Sequence, residues 1–96
     1  MSYVVGFDAS ARADIKDLYR YILANAGEQV ADAYVDKLLE YCAGFETFPE
    51  RGIRREDISP GLRLVGYRRQ ATIAFRIYGN TVTIVRIFYG GRNVIL

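Results

Sequence analysis

Residues 71–89, ATIAFRIYGNTVTIVRIFY, decide the fold. Two runs of β-branched and aromatic residues flank Gly79-Asn80, the arrangement of a β-hairpin closed by a tight turn. Closure at that turn sets Ile77 opposite Val82, Phe75 opposite Ile84 and Arg76 opposite Thr83. Ile73, Phe75 and Ile77 then share one face with Val82, Ile84, Arg86 and Phe88. Arg76 falls on the other face with Ala74 and Tyr78. Arg86 is therefore expected to point toward whatever covers the sheet, at its edge. A buried arginine must be paired, and the acids earlier in the chain are its candidates. Arg86 reads as a structural clamp and Arg76, on the open face, as a partner-binding residue.

Working upstream, Leu62 to Tyr67 reads as a further strand, entered through the turn Ser59-Pro60-Gly61. Arg63 points opposite to Leu62 and Leu64, so it is outward if those leucines are core. Phe48, Pro49 and Gly52 open a connecting segment that carries Arg51, Arg54 and Arg55. Before it, Val35, Leu38, Cys42 and Phe45 recur at helical spacing, widened by Val30, Tyr34, Leu39 and Tyr41. They define a helix from about Glu28 to Phe45. Asp32, Asp36 and Glu40 form an acidic ridge on it. An earlier helix carries Ile15, Leu18, Tyr19, Ile22 and Leu23, with Ser10 as its expected N-cap and Asn25-Ala26-Gly27 as its stop. So short a link implies an antiparallel helical hairpin. Tyr3 to Phe7 reads as a first strand. The order β-α-α-β-β-β predicts an α+β fold over a single domain, residues 1–96: a helical hairpin packed on a mainly antiparallel sheet.

Composition limits the chemistry. The chain has 96 residues, no histidine and one cysteine, Cys42. An internal disulfide is excluded, and a structural zinc site or other metal site is not expected. Without histidine, a general base near neutral pH would have to be a carboxylate, lysine, tyrosine or cysteine with a shifted pKa. The first residues show no signal peptide, and no apolar run is long enough to span a membrane. No membrane association is expected, and a reducing cytoplasm fits the single cysteine.

The net charge of +2 hides an asymmetry. Residues 1–50 hold nine acids and four bases. Residues 51–96 hold nine arginines against Glu56 and Asp57. Arginine grips carboxylates or phosphates with a rigid fork. The arginines of the second half could grip an acidic protein segment, a nucleic-acid backbone or the chain's own acidic helices.

Five stretches together resemble the ParE/RelE (plasmid stabilisation) toxin superfamily, most closely its ParE branch. Ser10 through Ile22 resembles the first helix. FETFPERG at 45–52 resembles the exit from the second. SPGLR at 59–63 matches a strand entry, and Tyr67 with IAFRI at 73–77 a following strand. VTIVRIFYGGR at 82–92 resembles the closing motif, with Tyr89 where histidine is usual. The resemblance implies a RelE/ParE-like fold and the toxin component of a type II toxin–antitoxin system. It further implies a cognate ParD-like antitoxin with a ribbon-helix-helix DNA-binding domain and an acidic tail. DNA gyrase is the target it implies, inhibited by binding. No cofactor, small-molecule ligand or catalytic residue is expected.

Two departures separate the chain from the ribosome-dependent mRNA endonucleases of the RelE branch. Thr72 stands where the resemblance calls for a catalytic arginine, and residues 93–96 lack the terminal basic or tyrosine residue. RNA cleavage by that route, and a non-toxic nucleic-acid-binding module, remain the alternatives. The residues expected to meet partners are Arg63, Arg76 and Arg92, then Tyr67 and Tyr89, with the apolar terminus Val94, Ile95 and Leu96. That terminus and the sheet side are expected to be partly exposed in the free protein.

Overall fold

A computed structural model describes residues 2–90 and 94. The elements run β1 (Val4–Phe7), α1 (Ala9–Ala26), α2 (Glu28–Ala43), a 3-10 turn (Gly44–Glu46), β2 (Ile53–Arg54), β3 (Leu62–Tyr67), β4 (Ala71–Tyr78) and β5 (Thr81–Tyr89). They form one mixed sheet in the order β1-β5-β4-β3-β2. Only β1 and β5 pair in parallel; the other neighbours are antiparallel.

The helices begin and end for local reasons. Asp8, not Ser10, is the N-cap of α1. Its N–H donates to the Ile84 carbonyl at 2.9 Å, the last rung shared with β5, so the chain turns into the helix before it reaches the serine. At the far end the Asn25 side chain donates to the Tyr21 carbonyl at 2.7 Å, answering one orphan acceptor. Gly27 alone joins the helices, at φ 92°, a value that glycine adopts without strain. Across the hairpin the Tyr19 hydroxyl donates to Asp32 Oδ1 at 2.7 Å.

The seam of α2 is Ala31, Tyr34, Leu38, Cys42 and, in the following turn, Phe45, all buried. Val30 and Leu39, expected to widen it, stand 50% and 39% exposed. Together with Leu18 and Ile22 of α1 this seam packs on Ile73, Phe75, Val82, Ile84 and Ile87 of the sheet.

Pairing around Gly79-Asn80 follows the expected register from Tyr78 to Phe75. It then slips by one residue between Ala74 and Phe75. Ala74 lies opposite Arg86, and Thr72 opposite Phe88. The bulge reverses the phase of the end of β5. Ile87 takes the helix-facing place expected of Phe88. Phe88 instead joins Leu62, Leu64 and Ala74 in a second cluster on the far face, covered in part by Ile58 and Val94. That face is not open there: Leu62 and Ala74 are fully buried, and Phe88 is 6% exposed. The second cluster also corrects Arg63, which pairs with Phe75 and so lies on the helix side of the sheet.

Candidate functional site

Arg86, read from the sequence as a clamp facing the helices, lies past the bulge on the far face of the sheet, and its ion-pair partner is Asp14 of α1. Arg86 Nε and Nη2 donate to the two carboxylate oxygens at 2.7 and 3.0 Å, a bidentate grip. The Ile87 N–H donates to the same carboxylate at 2.9 Å. This happens where β1 has ended and the outer edge of β5 would otherwise be bare. Arg86 starts from the far face, opposite Ala74, and meets Asp14 around that edge. The grip holds the Arg86 guanidinium above its ordinary pKa.

The other arginines are mostly spoken for. Arg76 Nε donates to the Pro60 carbonyl at 3.2 Å, and its Nη2 to the Ser59 hydroxyl, so it ties the Ser59–Gly61 turn to β4. Arg63 is only 15% exposed in its side chain. It reaches toward the Arg51 carbonyl at 3.5 Å and the exposed Glu50 at 3.8 Å. Arg51 lies 4.7 and 4.8 Å over the rings of Tyr41 and Phe45 and donates to the Tyr41 carbonyl at 3.2 Å, closing the end of α2. Arg63 and Arg76 lie on opposite faces of the sheet, so the structure does not bring them into one site.

Tyr67 and Tyr89 belong to a chain of rings. Tyr34 sits edge-on to both, with centroids 5.8 Å apart in each case. Tyr41 contacts Tyr67 at 5.1 Å, and Tyr21 contacts Tyr89 at 5.5 Å. Tyr67 is only 7% exposed and is a packing residue, which corrects its reading as a surface contact. Tyr89 is half-buried and lines a pocket with Asp14, Asp17, Leu18, Tyr21, Ile87 and Gly90. Val94 packs against the second cluster. Arg92, Ile95 and Leu96 lie outside the described residues.

A feature not singled out in the sequence stands at the β3–β4 turn. Arg68 and Arg69 both have positive φ, 50° and 61°. The Gln70 N–H closes the turn on the Tyr67 carbonyl at 3.2 Å. Turns of this kind favour Asn-Gly, because each ordinary side chain in that region costs roughly 1–2 kcal/mol. The signal was legible in principle: an Arg-Arg pair between two strands, where turn chemistry calls for Asn-Gly. The turn overlooks the outer side of α2. There Gln29, Val30, Ala33, Tyr34, Lys37 and Arg68 line one cavity, and Lys37, Glu40, Tyr41, Tyr67 and Arg68 line its neighbour.

Burial pushes the Cys42 thiol up to about 12, and burial pushes the Tyr34 hydroxyl up to about 12 as well. No group of three or more His, Cys, Asp or Glu among the described residues could hold a metal ion.

The family model described as the ParE toxin of the type II toxin–antitoxin system, parDE, matches residues 5–94. The chain belongs to the ParE toxin family. Toxin ParE3 of Caulobacter vibrioides is 30% identical to this ParE-family toxin over 81 residues, 84% of this chain and 80% of that one. A solved structure described as the chromosomal ParDE toxin–antitoxin system from P. aeruginosa superposes with a TM-score of 0.79 at 22% identity. That match covers 93% of this chain and 97% of the other. The RelBE2 toxin–antitoxin complex from Mycobacterium tuberculosis gives 0.66 at 23% identity, covering 96% and 95%. Both structures share the fold of two helices on a sheet. No helix among the described residues of this ParE-family toxin is long and apolar enough to cross a membrane.

Proposed function

We propose that this toxin acts in the cytoplasm by binding DNA gyrase, without catalysis of its own, and that a ParD-like antitoxin with a ribbon-helix-helix domain neutralises it. The observation that carries the non-catalytic reading is the state of the reactive groups. The chain has no histidine. Tyr34 and Cys42 are held at about 12, far from a working general base at neutral pH. Arg63 is turned to the helix side and largely covered. Thr72 lies opposite Phe88, where a catalytic arginine would be required.

Binding is supported by the cations left over. Arg54, Arg68 and Arg69 make no ion pair among the described residues. An acidic antitoxin tail that folds on binding would meet them with complementary charge. The gyrase target rests on family membership.

The test uses antitoxin-free protein in two parallel assays. One holds gyrase, ATP and supercoiled plasmid and reads trapped cleavage or lost supercoiling. The other holds ribosomes translating a defined message and maps RNA ends. Gyrase inhibition with intact message is the expected result. Cut message with untouched gyrase overturns the proposal.

A further inference from the structure

Arg54 and Arg63 are direct partners in the antiparallel pairing of β2 with β3, so their side chains stand side by side on one face of the sheet. Like charges placed directly opposite each other destabilise a sheet. Arg63 carries the greater cost. Its side chain is only 15% exposed, yet its contacts within the fold are long ones, 3.5 Å to the Arg51 carbonyl and 3.8 Å to Glu50. A largely desolvated guanidinium with several N–H donors and no short acceptor is poorly satisfied. Arg54 is exposed and makes no ion pair among the described residues.

The backbone around this pair is held more firmly than its packing explains. Both residues of β2 are exposed, Ile53 to 62%. Even so, Gly52 brings its backbone so close to Leu64 that a Cβ there would have no room. Just past the strand, the Arg55 N–H donates to the Leu62 carbonyl at 2.8 Å. What β2 does is set Arg54 beside Arg63. Both line one cavity of about 210 Å³, together with Tyr3 before β1 and Ile77 of β4. Glu50 and Glu56 line it as well. Neither acid completes the pair. Glu56 already accepts from the Gly61 N–H at 2.9 Å, and Glu50 is 78% exposed and beyond hydrogen-bond distance of Arg63.

The geometry points to this cavity as a binding site for a single phosphate group. Two guanidinium forks on one space suit a tetrahedral anion, whose oxygens are shared between them, whereas one fork already engages both oxygens of a carboxylate. The size agrees, since pockets for whole ligands run to roughly 300–1,000 Å³ and this one takes a group rather than a cofactor. The phosphate is a phosphodiester of a DNA backbone lying across the surface, or a free phosphate or phosphate monoester. Held there, it turns the repulsion between Arg54 and Arg63 into a shared grip. The inference goes beyond the gyrase reading and stands without it.

The test follows thermal unfolding of the intact toxin in inorganic phosphate, with chloride and acetate at matched ionic strength, and measures binding of a short DNA duplex. Phosphate is expected to raise the melting temperature above both controls, as a ligand of the folded state does. Arg54→Gln is expected to weaken phosphate about tenfold or more. Arg63→Lys, which keeps the charge and loses the fork, is expected to weaken it too, and Arg12→Gln, an exposed change on α1, to keep the parent response. An equal phosphate shift in the parent and in Arg54→Gln overturns the site, because phosphate also stabilises proteins by exclusion from their surfaces. So does the absence of a shift above chloride, with duplex binding unmoved by Arg54→Gln. Acetate that matches phosphate overturns the phosphate assignment in favour of a carboxylate. Duplex binding that weakens in Arg54→Gln, with a salt slope lower by about one, identifies the DNA backbone as the source. Duplex binding unmoved, with the phosphate response lost, identifies a free phosphate or phosphate monoester.

Discussion

Asp14 accepts three hydrogen bonds, two from Arg86 and one from the Ile87 N–H, with its side chain 11% exposed. Removing it takes one bidentate acceptor from the partly buried Arg86 guanidinium and the acceptor of the Ile87 N–H at the strand edge. Asp14→Ala is expected to cost about 2–3 kcal/mol, on the order of a 10 °C loss in melting temperature for a domain of this size. A loss under 2 °C in thermal unfolding would show that the clamp is decorative. Gly52 is a second such residue. A Cβ there would stand 2.0 Å from the Leu64 carbonyl oxygen, at φ 70°. Gly52→Ala is expected to displace β2 from β3 and to destabilise by about 2–4 kcal/mol, read by denaturant unfolding; parent stability would mean that the segment is not held against β3. The sequence exposed part of this. Charge alone pointed to an acid partner for Arg86, while alternation set it on the wrong face, because the bulge at Val85 reverses the phase. Asp14 could not be chosen from nine acids, because the pair is separated by most of the chain. Gly52 stood inside a recognisable proline-x-x-glycine stretch, but its reason, the close approach of another strand, needs the third dimension.

At the scale of elements, β3, β4 and β5 could be read to the residue because turn chemistry and alternation agree at Gly79-Asn80. The bulge could not. Val85 alternates as well as its neighbours do, and only the packing of Ile87 under α1 reveals that the phase has slipped. The consequence spread to other readings: Phe88 moved to the far face, which turned out to carry its own apolar cluster. The two-residue β2 has too little pattern to announce itself. The helix seam was read one flank too wide, since Val30 and Leu39 are apolar but outward. Within that seam Tyr34 holds α2 to the sheet through its ring contacts with Tyr67 and Tyr89, while its hydroxyl has no partner. Tyr34→Phe keeps the ring and removes the unsatisfied group. It is expected to raise stability by about 1 kcal/mol, seen as a higher urea midpoint with an unchanged slope. A loss of that size instead would show that the hydroxyl is satisfied in solution.

Across the whole molecule the candidate site was the least legible part. The arginine excess of the second half was plain in the sequence, yet which arginines remain for a partner depends on which ones the fold consumes. Arg51, Arg63, Arg76 and Arg86 are engaged internally, and the strand pattern alone does not single out Arg68-Arg69 between β3 and β4.

Cys42 offers a reporter for the integrity of this arrangement, because it is fully buried in the α2 seam between helix and sheet. Burial raises its thiol from the ordinary 9.0 to about 12. The unfolded chain therefore ionises first as pH rises, and the thiol contributes stability that is present below about pH 9 and lost between there and about 12. At pH 8 a thiol reagent should reach Cys42 only through opening of the fold. Its labelling should then run at least about a thousandfold slower than in denaturant, given the stability usual for a domain. Asp14→Ala, if it costs the 2–3 kcal/mol argued above, should accelerate that labelling by about 30-fold to 150-fold, since each 1.4 kcal/mol is a factor of ten. Labelling of the parent at the rate of a free thiol would mean that α2 is not seated on the sheet. A rate unmoved by Asp14→Ala would mean that α2 opens without releasing the β5 edge, and that the two ends of the hairpin unfold as separate units.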